Sequence, residues 1–160
     1  MANNEYRKLP TGIQAFNIIR EEGYLYVDKT DMVWKLANKG LKYNYLSRPR
    51  RFGKSVLVDT LQAYFEGRKE LFEGLKIMEL EKEWKQYPVI RFDMSRGGAT
   101  ANEVKAYLDR TFDVYEQLYG IHIKPTDSLG NRFALIIKTD YEQTRLKVAN
   151  LIDEYDSPLQ

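Results

Sequence analysis

The chain of 160 residues contains no cysteine and a single histidine. Because the chain has no cysteine, it can form neither disulfides nor thiolate metal sites. The composition is therefore compatible with a reducing compartment such as the cytosol. With only His122, in what reads as a connector, neither a histidine zinc site nor a Ser-His-Asp triad is expected.

Long apolar runs are also missing. No stretch approaches the roughly 18 residues of a membrane span, and the first residues lack the apolar core of a secretory signal. We therefore expect a soluble, cytoplasmic protein that has no membrane partner.

The chain has almost no net charge bias: it contains 25 Lys and Arg residues and 23 Asp and Glu residues, for a net charge of +2. Four cations nevertheless lie within seven residues: Arg48, Arg50, Arg51 and Lys54. Such a cluster suits a polyanion, and nucleotide phosphates and a nucleic-acid backbone are both candidates.

Residues 41–66 predict a strand at 42–47, a cationic turn and a helix at 53–66 ending near Gly67. The turn contains Gly53-Lys54-Ser55, and this order is typical of a loop that binds a nucleoside triphosphate. Lys54 would reach the outer phosphates, and the Ser55 hydroxyl can ligate Mg²⁺. The usual first glycine of this motif is replaced by Arg48.

A second candidate element is the short apolar run 147–153, which ends in Asp153 and Glu154. It predicts a buried parallel strand whose carboxyl end enters a site. One carboxylate there can hold Mg²⁺ through a water, and its neighbour can polarise an attacking water.

The remaining pattern alternates helices with strands. It predicts a helix from Thr30 or Asp31 to Gly40, short helices in 68–87 with Trp84 packed inward, a strand at 89–94, and helices at 101–119 and 128–143. This alternation favours an α/β fold with a mostly parallel sheet.

Four segments together resemble the predicted AAA-ATPase-like family of bacterial and archaeal proteins. They are residues 9–16 (L-P-T-G-I-Q-A-F), 26–30 (Y-V-D-K-T), 48–55 (R-P-R-R-F-G-K-S) and 151–158 (L-I-D-E-Y-D-S-P). The match spans nearly the whole chain, and an arginine at the first-glycine position is usual in that family.

The resemblance implies a P-loop NTPase core of the additional-strand type, a three-layer α/β fold with ATP and Mg²⁺ as ligands. Residues 1–40 would be an extension packed on the core, and 41–160 the first part of the NTPase domain. The implied nucleotide-binding residues are Arg48, Pro49, Arg50, Arg51, Phe52, Gly53, Lys54 and Ser55.

Carried over by position, Ser55 and Asp153 are the magnesium-associated residues, and Lys54 and Glu154 are the catalytic candidates. Pro49 supplies no amide donor, and Arg50 and Arg51 can compensate with side-chain charge. Family members commonly carry a later domain similar to restriction-endonuclease-like nucleases, for which this sequence has no segment.

In that fold a later strand lies between the phosphate-loop strand and the acidic strand, and the sequence ends before it. We therefore expect a core that is incomplete at its C terminus, with unpaired ladder groups on both strands. We expect either self-association or a disordered or displaced acidic strand. In that case Asp153 and Glu154 should lie too far from Ser55 to share a magnesium ion, and we expect weak ATP binding and little hydrolysis.

Two other hypotheses remain open. The arginine-rich loop could bind nucleic acid without hydrolysis, directly or as part of a longer protein. The chain could also be an inert truncated structural fragment.

Overall fold

The computed structural model describes residues 7–47, 49, 52–122, 124 and 127–157. The chain forms two compact units, Met1–Gln86 and Tyr87–Gln160, and each has its own apolar core. The predicted division after residue 40 stays a prediction. No described helix is long and apolar enough to cross a bilayer.

The first unit is helical and buries aromatic side chains. Phe16 and Phe72 are fully buried with ring centroids 5.0 Å apart. Trp84 lies 5.1 Å from Phe72, which confirms its inward packing. The elements are α1 (Phe16–Glu21), α2 (Thr30–Lys39), α3 (Lys54–Phe65), a 3-10 turn (Lys69–Phe72) and α4 (Ile77–Leu80).

The segment 26–30 is structural in this unit. The Asp28 carboxylate accepts hydrogen bonds from the Thr30 amide, the Thr30 hydroxyl and the Lys76 amide. The buried Thr30 hydroxyl in turn accepts from the Ile77 amide at 3.1 Å. Burial opposes ionisation of Asp28, but the hydrogen bonds from Thr30 and Lys76 hold its pKa below the ordinary value. Asp28 and Thr30 therefore join the start of α2 to the start of α4.

The predicted strand at 42–47 is wrong. Residues 41–47 are exposed and contain no strand, with Tyr43 79% and Tyr45 73% exposed. The Asn44 side chain donates to the Leu41 carbonyl at 2.7 Å, so the chain bends locally. A period-two pattern produces a strand only when a partner strand satisfies its backbone groups, and no described strand pairs with this segment.

The second unit is a parallel pair of strands covered by two long helices. Strands β1 (Val89–Asp93) and β2 (Ala149–Asp153) pair in register from Val89–Ala149 to Asp93–Asp153. The acidic strand is therefore ordered and paired, which excludes the disordered alternative. Self-association, and a displacement of this strand from Ser55, stay predictions. The helices are α5 (Ala101–Tyr119) and α6 (Leu129–Thr144).

Capping residues explain why both helices begin where the sequence predicts. The Thr100 hydroxyl accepts from the Glu103 amide, and the Glu103 carboxylate accepts from the Thr100 amide, a complete capping box. Ser128 caps α6 in the same way by accepting from the Asn131 amide. These helices cover the side of the sheet that carries Ile90 and Phe92.

Two tyrosines of α5 cover the β1 amides that the ladder does not use. The Tyr115 hydroxyl accepts from the Arg91 amide at 3.2 Å, and the Tyr107 hydroxyl accepts from the Asp93 amide at 2.9 Å. Exposed strand edges invite pairing with other chains. The two hydroxyls block this edge of β1 against such pairing.

Arg132 joins α6 to α5 through three carboxylates. Its guanidinium donates to both oxygens of Glu116 at 2.8 Å, and to Asp113 and Asp109 at 2.8 and 2.6 Å. Arg132 and Glu116 are 9% and 4% exposed, so the bidentate pair is largely desolvated.

We expect Arg132→Met to lower the free energy of unfolding by about 3 kcal/mol, because it leaves the buried Glu116 carboxylate without a cation. Denaturant titration followed by circular dichroism measures this loss. The double variant Arg132→Met, Glu116→Leu should recover most of it. If the double variant is as unstable as the single variant, the loss comes from packing and not from the stranded charge.

Asp140 is a buried acid without a cationic partner among the described residues. It is fully buried on α6, and its Oδ2 accepts from the Tyr119 hydroxyl at 2.8 Å. Its Oδ1 has no hydrogen-bond partner in the described part of the chain. Burial raises the pKa of Asp140 above the ordinary carboxyl value, and the Tyr119 hydrogen bond only partly opposes this rise.

The raised pKa predicts the pH dependence of stability. Below the ordinary carboxyl pKa, Asp140 is protonated in the folded and unfolded chains, so it costs no stability. As the pH rises towards the folded pKa, only the unfolded chain ionises, and the free energy of unfolding falls. The difference in stability between Asp140→Asn and wild type should therefore grow in favour of the variant from pH 3 to neutral pH. A constant difference would contradict the raised pKa.

Candidate functional site

The first half of the candidate site is the start of α3. Gly53 precedes the helix with φ +75° and ψ 23°, the left-handed region that glycine adopts without strain. The first helical bond runs from the Leu57 amide to the Gly53 carbonyl at 3.0 Å. The amides of residues 54–56 lie before that bond, so the helix itself supplies no acceptor for them.

Lys54 and Ser55 are half-buried in the first turn, and Phe52 is 63% exposed just before it. Pro49 is exposed. The predicted binding residues Arg48, Arg50 and Arg51 lie outside the described residues. Within the described chain, the structure therefore places Gly53, Lys54 and Ser55 together at one helix end, as the motif predicts.

The electrostatics of this helix end favour an anion. No described side chain caps it, and its first turn contains no acidic residue. A helix start carries a partial positive charge from its unpaired amides, and Lys54 adds a full charge. Apart from its chain neighbours, no described residue lies within 4 Å of a Cβ atom built on Gly53. These features fit the phosphates of a nucleotide.

The second half of the candidate site is the carboxyl end of β2. Asp153 is the last strand residue and is 6% exposed. Its Oδ1 accepts from the Glu154 amide at 3.0 Å, and its Oδ2 lies 3.8 Å from Nη2 of Arg91. Arg91 lies on the neighbouring strand, so the strand pairing places a cation beside the buried carboxylate.

Glu154 follows the strand with φ +49°, a left-handed conformation that a residue with a side chain rarely adopts. This costs on the order of 1 kcal/mol and turns the chain away from the ladder. The Ser157 amide donates to the Glu154 carbonyl at 2.9 Å and closes the turn. Glu154 is half-buried and forms no ion pair within the described residues.

The sequence prediction missed Asp93. The β1–β2 register places Asp93 directly beside Asp153 at the same end of the sheet. Asp93 accepts hydrogen bonds from the Ser95 amide and hydroxyl and from Nε of Arg96. Its oxygens thus hold the 3-10 turn Met94–Arg96. The sequence offered one signal for Asp93, namely that both predicted strands contain an aspartate near their carboxyl ends. That the two aspartates are neighbours follows only from the register of the strand pairing.

Gly53, Lys54 and Ser55 belong to the first unit, whereas Asp153 and Glu154 belong to the second. Among the described residues, no group of three or more histidine, aspartate or glutamate side chains could hold a metal ion by itself. The Ser55 hydroxyl and the Asp153 carboxylate, each within its own unit, are oxygen groups of the type that Mg²⁺ takes as ligands.

The mixed helix and strand composition, with a small parallel sheet, agrees with the α/β class expected from the sequence. The chain matches the family model described as "Predicted AAA-ATPase" over residues 10–160. The chain therefore belongs to this AAA-ATPase-like family.

A protein of Azotobacter chroococcum mcd 1, called "Uncharacterized protein in vnfD 5'region", is 37% identical to the chain over 155 residues. The alignment covers 96% of this chain and 30% of that protein, so the chain spans less than a third of its relative's length. No solved structure matches the chain.

Proposed function

We propose that this chain is the ATP-binding part of an ATPase with a P-loop NTPase fold, and that it binds Mg-ATP at the start of α3. The observation that carries the proposal is the uncapped helix end at Gly53, with Lys54 and Ser55 in its first turn. Membership of the AAA-ATPase-like family supports it. The P-loop fold and the cofactors ATP and Mg²⁺ are part of the proposal.

In this proposal the amides of residues 54–56 donate to phosphate oxygens, and the Lys54 ammonium pairs with the outer phosphates. Such contacts act mainly by positioning and by stabilising charge. Bound Mg²⁺ would neutralise phosphate charge, and the Ser55 hydroxyl would be the ligand that the first unit supplies. The family resemblance implies that Asp153 is the magnesium-associated acid. Glu154 would accept a proton from the attacking water.

We expect Lys54→Ala to weaken Mg-ATP binding by about 10- to 100-fold, because a hydrogen bond to a charged group contributes about 1.5–3 kcal/mol. The melting temperature without ligand should stay unchanged, because the Lys54 side chain is not part of the core. Isothermal titration calorimetry measures the affinity.

The matched control for this variant is Lys35→Ala, which removes the same charge from an exposed pair with Asp31. It should bind Mg-ATP like wild type. Equal affinity of Lys54→Ala and wild type would reject the phosphate site. If Mg-ATP does not shift the melting temperature of wild type at all, the inert-fragment hypothesis is favoured.

We expect Glu154→Gln to keep Mg-ATP binding and to lower any phosphate release by about 10²- to 10⁴-fold, the usual contribution of a general base. The variant keeps the size of the side chain and removes its basic oxygen. Phosphate release at saturating Mg-ATP is measured in a longer protein that contains this chain, beside Glu142→Gln, an exposed glutamate on α6 paired with Lys138. Unchanged turnover in Glu154→Gln of that longer protein would remove Glu154 from the mechanism.

A second candidate function is nucleic-acid binding, which the exposed aromatic residues favour. Tyr43, Tyr45 and Phe52 are each more than 60% exposed and flank the arginine-rich part of the sequence. Aromatic rings beside cations are typical of single-strand binding surfaces. Affinity for an oligonucleotide that falls steeply with salt and ignores Mg-ATP would favour this function over ATP binding.

A further inference from the structure

Residues 9–16 and 26–30 have no role in the proposed chemistry, yet both contact α3 in the first unit. The backbone amide of Phe16, the first residue of α1, donates to Oδ2 of Asp59 at 2.6 Å. Asp59 lies on α3, four residues after Ser55. The short distance and the carboxylate acceptor make this a charge-assisted hydrogen bond.

A second contact lies beside the first. The half-buried Tyr26 side chain is near Thr60 of α3: burial raises the pKa of the Tyr26 hydroxyl, and the Thr60 side chain partly opposes this rise. Thr60 is fully buried, and its hydroxyl donates to the Val56 carbonyl at 2.7 Å. The rings of Tyr26 and Phe16 pack edge to face with centroids 5.2 Å apart, so both contacts belong to one cluster.

These contacts matter because they add to the partial packing of Leu57 against the core as restraints on the start of α3. No described side chain caps the helix, and the residue before it is a glycine, which has wide backbone freedom. Aspartate and threonine are also weak helix formers, so they are not the residues that helix propensity favours at positions 59 and 60. The Asp59 carboxylate accepts from the Phe16 amide and the Thr60 hydroxyl donates to the Val56 carbonyl, and both bonds restrain the first two turns.

We propose that Asp59 is a positioning residue that, together with Thr60, fixes the first turns of α3 against α1. The N-terminal segments thereby set the direction of the amides and of Lys54 at the helix start. The inference that this orientation serves nucleotide binding rests on the proposed function. The restraint itself does not depend on any ligand.

The restraint is tested in the ligand-free chain by hydrogen exchange at single amides. We expect Asp59→Ala to speed exchange of the Leu57 and Val58 amides about tenfold. The Asp59→Asn variant should restore slow exchange, because its side-chain oxygen can still accept from the Phe16 amide. The amides of α2 should exchange at the wild-type rate in both variants, and the control Asp31→Ala should leave the Leu57 and Val58 amides at the wild-type rate. Unchanged exchange at Leu57 and Val58, or an equal increase throughout α2, would overturn the positioning role.

The same variants then separate positioning from the proposed function. We expect Mg-ATP affinity to fall about tenfold in Asp59→Ala and to return to within twofold of wild type in Asp59→Asn. Faster exchange with unchanged affinity would overturn the link between Asp59 and nucleotide binding. Wild type that fails to bind Mg-ATP would reject the proposed function, and the exchange rates would still decide the restraint on α3.

Discussion

The left-handed backbone at Gly53 decides where α3 begins and how its first amides are presented. Its φ of +75° is available to glycine at no cost, whereas another L-residue would lose about 1–2 kcal/mol there. Because no described residue other than its chain neighbours lies within 4 Å of a Cβ built at this position, the demand for glycine comes from the backbone conformation. The phosphate-binding proposal depends on this single conformation.

The rest of the first unit keeps α3 in place. Ala63 and Tyr64 are buried in the core with Phe16 and Phe72, so the later turns of α3 are fixed by packing. In the first turns, Leu57 packs partly against that core, and Asp59 and Thr60 add hydrogen bonds. A helix start held by partial packing and by hydrogen bonds from the following turn can stay open to solvent and ligand.

The long helices could be predicted from the sequence because their signals are local. The capping box of Thr100 and Glu103 and the left-handed Gly120 mark the ends of α5, and neither depends on distant residues. The strand at 42–47 failed because its pattern needs a partner strand. The role of Thr30 was equally hidden, since its hydroxyl binds the Ile77 amide 47 residues away.

The candidate site likewise combines residues that a local motif identifies with neighbours that only the fold brings together. Gly53-Lys54-Ser55 is a contiguous motif, so sequence alone brings its residues together. The surroundings of Asp153 are set by strand pairing: Arg91 and Asp93 become its neighbours only through the register of β1 and β2. Sequence analysis therefore found the acidic residue without finding the groups that surround it.

The central claim, that nucleotide phosphates bind at the start of α3, is tested most directly by an NMR titration of the ¹⁵N-labelled chain with Mg-ATP. The account predicts that the largest saturable amide shifts occur at Gly53, Lys54, Ser55 and Val56. Shifts of similar size for Mg-ATP and for inorganic phosphate would indicate simple anion binding at the helix end. An absence of saturable shifts at these amides, while other parts of the chain respond, would contradict the claim.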